Sequence, residues 1–486
     1  MIDFSNIEKY KENNRIEAKK AIGGLPHSIW ETYSAFANTL GGIILLGVEE
    51  RSDKHLFPVE LPDPERLVKD FWDIVNNTNK VSVNILSDKD VTIETIDGKR
   101  IVAIRIPRAQ RVDKPVYIDG NPLSGSYRRN GEGDYKCTKE EIQAMMRDAA
   151  VKTQDMLVLE DMGLDSFDYD SVKRYRIRMK TYRPGHVWEE LEDVEFLYKL
   201  GAVGKTRDGE MHPTAAGLLM FGYEYEIVKE FPAFFLDYQE QLDPNIRWTD
   251  RIVSSSGDWS GNIYDFYFRV YNKITQDIKI PFKLEGGDRI DDTPVHKALR
   301  EALANCLINA DYYGRQGVVI IKKKDIITLS NPGEFRVDVE IAKSGGVSDP
   351  RNSALIKMFN LIDVGERAGS GIPNIFSVWA KQGWPVPTIS EKFDPVRITL
   401  SLALRKTSDK KQAIKTGDKK ASTKTTIYRD VIVAYLTENI SARCSEIAAL
   451  IGISNSRTRA ILSKMVEDKI LVTEGENKNR VYKLSF

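Results

Sequence analysis

The sequence predicts an α+β protein of several domains, on three observations. At 486 residues the chain exceeds what one hydrophobic core can hold, which points to roughly three or four folded regions. Apolar residues recur at helical spacing in some segments and alternate as in strands in others, so both element types share the chain. From 405 to 424 the run RKTSDKKQAIKTGDKKASTK is polar, Lys-rich and without apolar period, the composition of a flexible basic linker. The expected division is 1–150, a helical connecting region 151–244, a domain 245–404, the linker 405–424, and a terminal unit 425–486.

Charge and cysteine usage narrow the function classes. Lys plus Arg equals Asp plus Glu at 71 each, so any affinity for a polyanion must come from local patches. Cys137, Cys306 and Cys444 are far apart and odd in number, which argues against a disulfide framework or a zinc site and suits a reducing cytoplasm. The polar start MIDFSNIEKYKENN is no signal peptide, and no apolar run approaches membrane-spanning length. A cytoplasmic protein with no membrane partner is expected. His27, His55, His186, His212 and His296 are scattered, which supports neither a metal cluster nor a phospho-acceptor role.

Near the N-terminus, SIWETYSAFANTLGG has helical spacing at Ile29, Tyr33 and Phe36 and stops at glycines. GGIILLGVEE then forms a strand that ends on Glu49 and Glu50. If this strand pairs with the segment carrying Glu17, the acids converge at one sheet edge. Clustered carboxylates raise one another's pKa unless a cation neutralises them, so such a cluster implies a metal or solvent exposure. Arg105, Arg108, Arg111, Lys114, Arg128 and Arg129, with Tyr117 and Tyr127 among them, suit phosphate tracking and base stacking; the alternative is an ordinary basic surface.

The ENNRIEAKKAI start, AFANTLGG, GVEE and GSYRRNGEGDYKCTKEEI together resemble the Schlafen AlbA-type domain, over about the first 150 residues. Some members are metal-dependent endoribonucleases. That resemblance implies Mg²⁺ or Mn²⁺ held by Glu12, Glu17 and Glu50, with Glu49 competing for the third place, and Lys19 facing the scissile phosphate. Other members are regarded as DNA-binding regulators, so contact without cleavage is the competing implication.

Within 151–244, HPTAAGLLMFG reads as core packing without chemistry of its own. In HKALREALANCLINADYYG, Leu299, Leu303, Cys306, Leu307 and Ala310 form an apolar face, while Glu301, Asn305 and Asn309 recur at four-residue spacing on another. GVVIIKKKDIITLSNPGEF alternates as two strands and turns at Asn331, Pro332 and Gly333. VGERAGSGIPNIF places glycines before a further helix.

These pieces in this order resemble the histidine-kinase-like, Bergerat-type α/β sandwich, in the divergent branch attached to Schlafen AlbA-type domains. The resemblance implies ATP as ligand, Asn305 on Mg²⁺, Glu301 polarising the attacking water, and the amides of Gly365, Gly369 and Gly371 near the triphosphate. Asn331 and Gly333 stand where related proteins carry DxGxG, and the Asn331 amide oxygen accepts the adenine amino hydrogen less strongly than a carboxylate.

After the linker, IYRDVIVAYL, CSEIAALIG and SNSRTRAILSKMVEDKI read as three helices, and ILVTEGENKNRVYKLSF as a hairpin. Three helices and a hairpin resemble the winged helix-turn-helix class. In that class Asn455, Ser456, Arg457 and Arg459 lie near DNA bases or phosphates, with Lys478 and Arg480 on the wing. Dimerisation or protein docking is the alternative use.

Two functions follow as expectations. One is an ATP-binding protein acting on DNA or RNA, with a metal-dependent nuclease controlled by nucleotide in stress or phage defence. The other is an ATP-responsive transcription regulator that cuts nothing. A homo-oligomer is expected in either case.

Overall fold

The structure is a computed structural model that describes residues 10, 12–276, 278, 283–285, 288–290, 293–365, 369–393, 395–404, 432, 435–436, 439, 441–451, 454–467, 470–475 and 480–484. The chain divides into two compact units, 1–407 and 408–486. The expected linker 405–424 lies outside the described residues. Among the described residues, no helix is long and apolar enough to cross a membrane.

The first part of the larger unit is built on a four-stranded sheet in the order Ile16–Lys19, Gly42–Leu46, Lys99–Ile106, Val91–Ile96. The first pair is parallel, with Glu17 opposite Ile44, and the other pairs are antiparallel. Parallel neighbours need a crossover, and the Ile29–Asn38 helix supplies it. GIILL is apolar at every position because its strand is central and covered on both faces. Ile44 and Leu46 pack under Ile29, Tyr33, Phe36 and Phe71, while Ile43 and Leu45 pack with Ile16 and Ala103 on the other face.

GGIILLGVEE is two strands, which corrects the single strand read from the sequence. Gly47 takes φ +83°, a conformation that strains side chains other than glycine, and a Cβ there would lie 2.8 Å from Leu61. The chain turns at this point, and Val48–Glu50 leaves the sheet to pair with Leu56–Pro58.

The second part holds a six-stranded sheet in the order Asp250–Val253, Leu236–Gln241, Val318–Lys323, Ile326–Pro332, Val396–Ala403, Thr388–Phe393. The helices Ile263–Thr275, Pro294–Ile308, Ser353–Leu361 and Gly371–Gln382 contribute to one apolar core that runs from Phe167 to Leu402. The boundary drawn at 244/245 therefore falls inside one body, between two paired strands of the same sheet. The expected helical connecting region carries the helices Tyr169–Tyr182, Asp193–Leu200, Ala215–Phe221 and Glu224–Glu230, the third wholly buried, and also contributes the strand Leu236–Gln241 to this sheet.

In the smaller unit, the helices Cys444–Ile451 and Asn455–Glu467 pack with a three-stranded sheet ordered Ala442–Arg443, Val481–Leu484, Leu471–Glu474. Of the first helix expected here, Ile432, Tyr435 and Leu436 are described as helical.

Candidate functional site

A cavity of about 150 Å³ opens in the second part of the larger unit, lined among others by Glu301, Asn305, Asn309, Asn331, Gly369 and Gly371. The first three come from one helix and its C-cap, because four-residue spacing puts them on one face. Gly371 begins the Gly371–Gln382 helix so close to them that a Cβ would fall 2.1 Å from Glu301 Oε1 and 2.9 Å from Asn305 Nδ2. Gly369, at φ +67°, presses its backbone on Val347, and a Cβ on Gly365 would lie 3.8 Å from Glu301 Oε2. The site is thus a cradle of backbone and acid that a side chain at 371 would fill. Its volume is below the roughly 300–1,000 Å³ of typical ligand pockets.

The polar side chains are partly committed. Asn305 Nδ2 donates to Glu301 Oε1 at 3.1 Å, which leaves the Asn305 oxygen as the atom suited to a cation. Asn309 Nδ2 closes the helix end on the Asn305 carbonyl, and its Oδ1 accepts from the Arg351 N–H. Buried Asn331 turns its Nδ2 to the carbonyls of Asn309 and Pro332. Gly333 lies against Arg351, on the wall of a second and larger cleft of about 1,070 Å³ between the two parts of the unit.

At the N-terminal sheet, Glu17 is buried and accepts from Arg129 Nη2 at 2.7 Å, with Lys19 Nζ also at 2.7 Å. Glu12 accepts from the Ala18 N–H. Glu50 pairs with Lys54 at 3.2 Å, while its Oε1 is buried with no hydrogen-bond partner. Glu49 instead pairs with exposed Lys20. Burial pushes the Glu12 carboxyl above the ordinary carboxylate value; its bond from Ala18 opposes this, and the charges of Glu17 and Glu50 add to the rise. Glu12, Glu17, Glu50 and Lys19 thus occupy one electrostatic neighbourhood. Among the described residues, no group of three or more His, Cys, Asp or Glu side chains has metal-holding geometry.

Residues 12–138 match the family described as "Schlafen, AlbA_2". The chain carries a Schlafen AlbA_2 domain. Residues 316–400 match the family described as "Putative ATP-dependent DNA helicase recG C-terminal", and residues 143–237 match a domain of unknown function, DUF8451. Comparison with curated proteins gives no match. Among solved structures, the DIP2311 protein from Corynebacterium diphtheriae is 16% identical, with 97% of this chain and 95% of that chain covered and a TM-score of 0.39. The N-terminal domain of a "Putative ATP-dependent DNA Helicase RecG-related Protein" from Nitrosomonas europaea is 30% identical, with 29% of this chain and 96% of that chain covered and a TM-score of 0.23.

Of the six basic residues read as phosphate-tracking, five are paired inside the larger unit. Arg129 is buried between Glu17 and Asp134, so it holds the acid cluster in place of tracking phosphate. Arg128 pairs with Glu141 and donates to the Phe393 carbonyl. Arg108 bridges Glu334 and Glu391, Arg111 pairs with Asp349, and Lys114 pairs with Glu334. These cations dock the domain on the rest of the unit; Arg105 stays half-exposed beside Glu94.

Sequence reasoning missed the acids that receive them. Glu334 stands in the NPGEF turn already noted, and Asp349 in a DPRN turn, but neither turn signals a buried partner. In the smaller unit Asn455, Ser456, Arg457, Arg459 and Arg480 are exposed, and Lys478 lies outside the described residues.

The raised Glu12 carboxyl gives a pH prediction. An acid that holds its proton more tightly when folded lowers stability as pH rises from the ordinary carboxylate value through its raised one. Glu12→Gln removes that loss, so the variant gains stability relative to the parent between pH 4 and pH 7, measured by urea unfolding at both. A gain of the opposite sign would contradict the burial assigned to Glu12.

Proposed function

We propose that this protein binds ATP in the cavity beside Asn305 and acts on nucleic acid as a nucleotide-responsive binding protein. The supporting observation is the convergence of Glu301, Asn305, Gly369 and Gly371 at the start of the Gly371–Gln382 helix. Amides at a helix start favour phosphate oxygens. Glu301 carries like charge to a triphosphate, so a divalent cation on the Asn305 oxygen is what allows both to share the cradle. When bound, Mg²⁺ neutralises phosphate charge; Glu301 holds and polarises a water. Asn309 and Asn331 shape the surrounding wall, and Gly365 lies near Glu301. The matched RecG C-terminal description fits this reading.

Nucleic-acid contact is assigned to the Schlafen AlbA_2 domain and to the terminal unit read as a winged helix, where exposed Asn455, Ser456, Arg457, Arg459 and Arg480 face solvent without burial to restrain them. Neutral overall charge makes such contact dependent on these local groups. An ATP-responsive regulator that does not cut is the form the paired basic residues favour.

Metal-dependent cleavage, in a stress or phage-defence setting, is the second reading, favoured by the orphaned Glu50 Oε1 on a carboxylate whose charge reaches Glu12. An unsatisfied buried carboxylate oxygen suits a divalent cation, and this reading requires Glu12 and Glu17, the latter now held by Arg129 and Lys19, to turn toward it.

Calorimetry with ATP and Mg²⁺ tests the first reading. Binding is expected, weakened about tenfold or more by Gly371→Ala, whose Cβ collides with Glu301; absence of binding by the parent protein overturns it. Incubation of the chain with transfer RNA or single-stranded DNA and Mn²⁺ tests the second: cleavage abolished by Glu50→Gln supports it, and no cleavage by the parent protein removes it.

A further inference from the structure

The wall between the cavity and the interdomain cleft is made by two short stretches, 334–337 and 347–351, which also clamp the Schlafen AlbA_2 domain. Glu334, Arg336 and Asp349 line both spaces. Glu334 Oε2 accepts from Lys114 Nζ at 3.0 Å, and the same ammonium donates to the Asn38 carbonyl at 2.7 Å. Asn38 ends the Ile29–Asn38 helix, and its side chain bonds the backbone of Val116 and Tyr127. The next residue, Thr39, accepts the Arg129 N–H on its hydroxyl at 3.0 Å, and the Arg129 guanidinium holds Glu17 at 2.7 Å. Every side chain between Lys114 and Glu17 on this route is buried.

The route is continuous and polar, opens on the cleft at Glu334 and is buried from Lys114 to Glu17, so a displacement inside it passes from one hydrogen-bonded member to the next. Cations lining the cleft are paired with acids, among them Arg147 with Asp311, Arg315 with Glu140 and Arg351 with Asp148.

We propose that Lys114 is a positioning residue that transmits occupancy of the Glu301–Asn305 cavity to the acid cluster around Glu17, by way of Glu334, the Asn38–Thr39 helix end and Arg129. This inference rests on the nucleotide reading above and names its regulation. Filling the cavity moves the 334–336 wall, Lys114 follows Glu334, and the helix end that anchors Arg129 tightens or loosens. The test perturbs the route at Lys114 and at Thr39.

The full chain is followed by amide hydrogen exchange with and without ATP and Mg²⁺, while calorimetry reports nucleotide binding separately. In the parent protein, exchange at the Arg129 amide is expected to change about fivefold or more on nucleotide binding, the lower end of typical couplings. Lys114→Met and Thr39→Val are each expected to bind ATP within about threefold of the parent yet lose the response at Arg129. Lys114→Arg, which keeps the cation, is expected to retain part of it. Nucleotide binding with no change at Arg129 in the parent protein overturns the coupling, whether or not the variants fold. A response that persists in either Lys114→Met or Thr39→Val overturns it too. No calorimetric binding by the parent protein instead overturns the nucleotide reading, and the coupling with it.

Discussion

The arrangement of the larger unit depends on a buried lattice of charge between the Schlafen AlbA_2 domain and the six-stranded sheet. Arg108 reaches Glu391 at 2.7 and 2.9 Å and Glu334 at 3.2 Å, and the Phe335 N–H donates to the same Glu391 carboxylate at 2.8 Å. Burial raises the Glu334 carboxyl, but Lys114 and Arg108 outweigh it and hold the group below the ordinary carboxylate range. Burial also draws the Lys114 ammonium below its ordinary value. Each ion alone costs several kcal/mol to bury, so the lattice contributes less to net stability than to fixing a single docking geometry.

That geometry decides what the cations are available for. Arg108, Arg111 and Arg129, each held by a carboxylate of its own chain, are not offered to a polyanion in this state. The arginines left exposed are those elsewhere on the domain and, in the smaller unit, Arg457, Arg459 and Arg480. The acid neighbourhood at Glu17 obeys the same logic: Arg129 and Lys19 already supply two positive charges there, and Glu50 Oε1 is the atom left without a partner.

Local pattern carried much of this into the sequence. The apolar run GIILL, the glycine-stopped helix before it and the four-residue spacing of Glu301, Asn305 and Asn309 are each set by the geometry of one element, and each is legible there. Gly47 was not, because nothing in GGIILLGVEE distinguishes a turn from a small residue in a strand; Leu61 packed at its missing Cβ makes the difference. Nor was the fate of Arg108, whose partners lie 226 and 283 residues away. A basic cluster looks the same in sequence whether it meets phosphate or a distant glutamate, and only tertiary pairing separates the two. The 244/245 boundary failed similarly, since the pairing of Leu236–Gln241 with Val318–Lys323 is a long-range contact.

The most direct measurement is a double-mutant cycle on Arg108→Gln and Glu391→Gln, read by denaturant unfolding of the full chain. A buried pair on which docking depends predicts about 3 kcal/mol or more for each single change, because each strands a charge. The double variant should then cost less than their sum by about 1 kcal/mol or more. Single costs that add to within about 0.5 kcal/mol would contradict it.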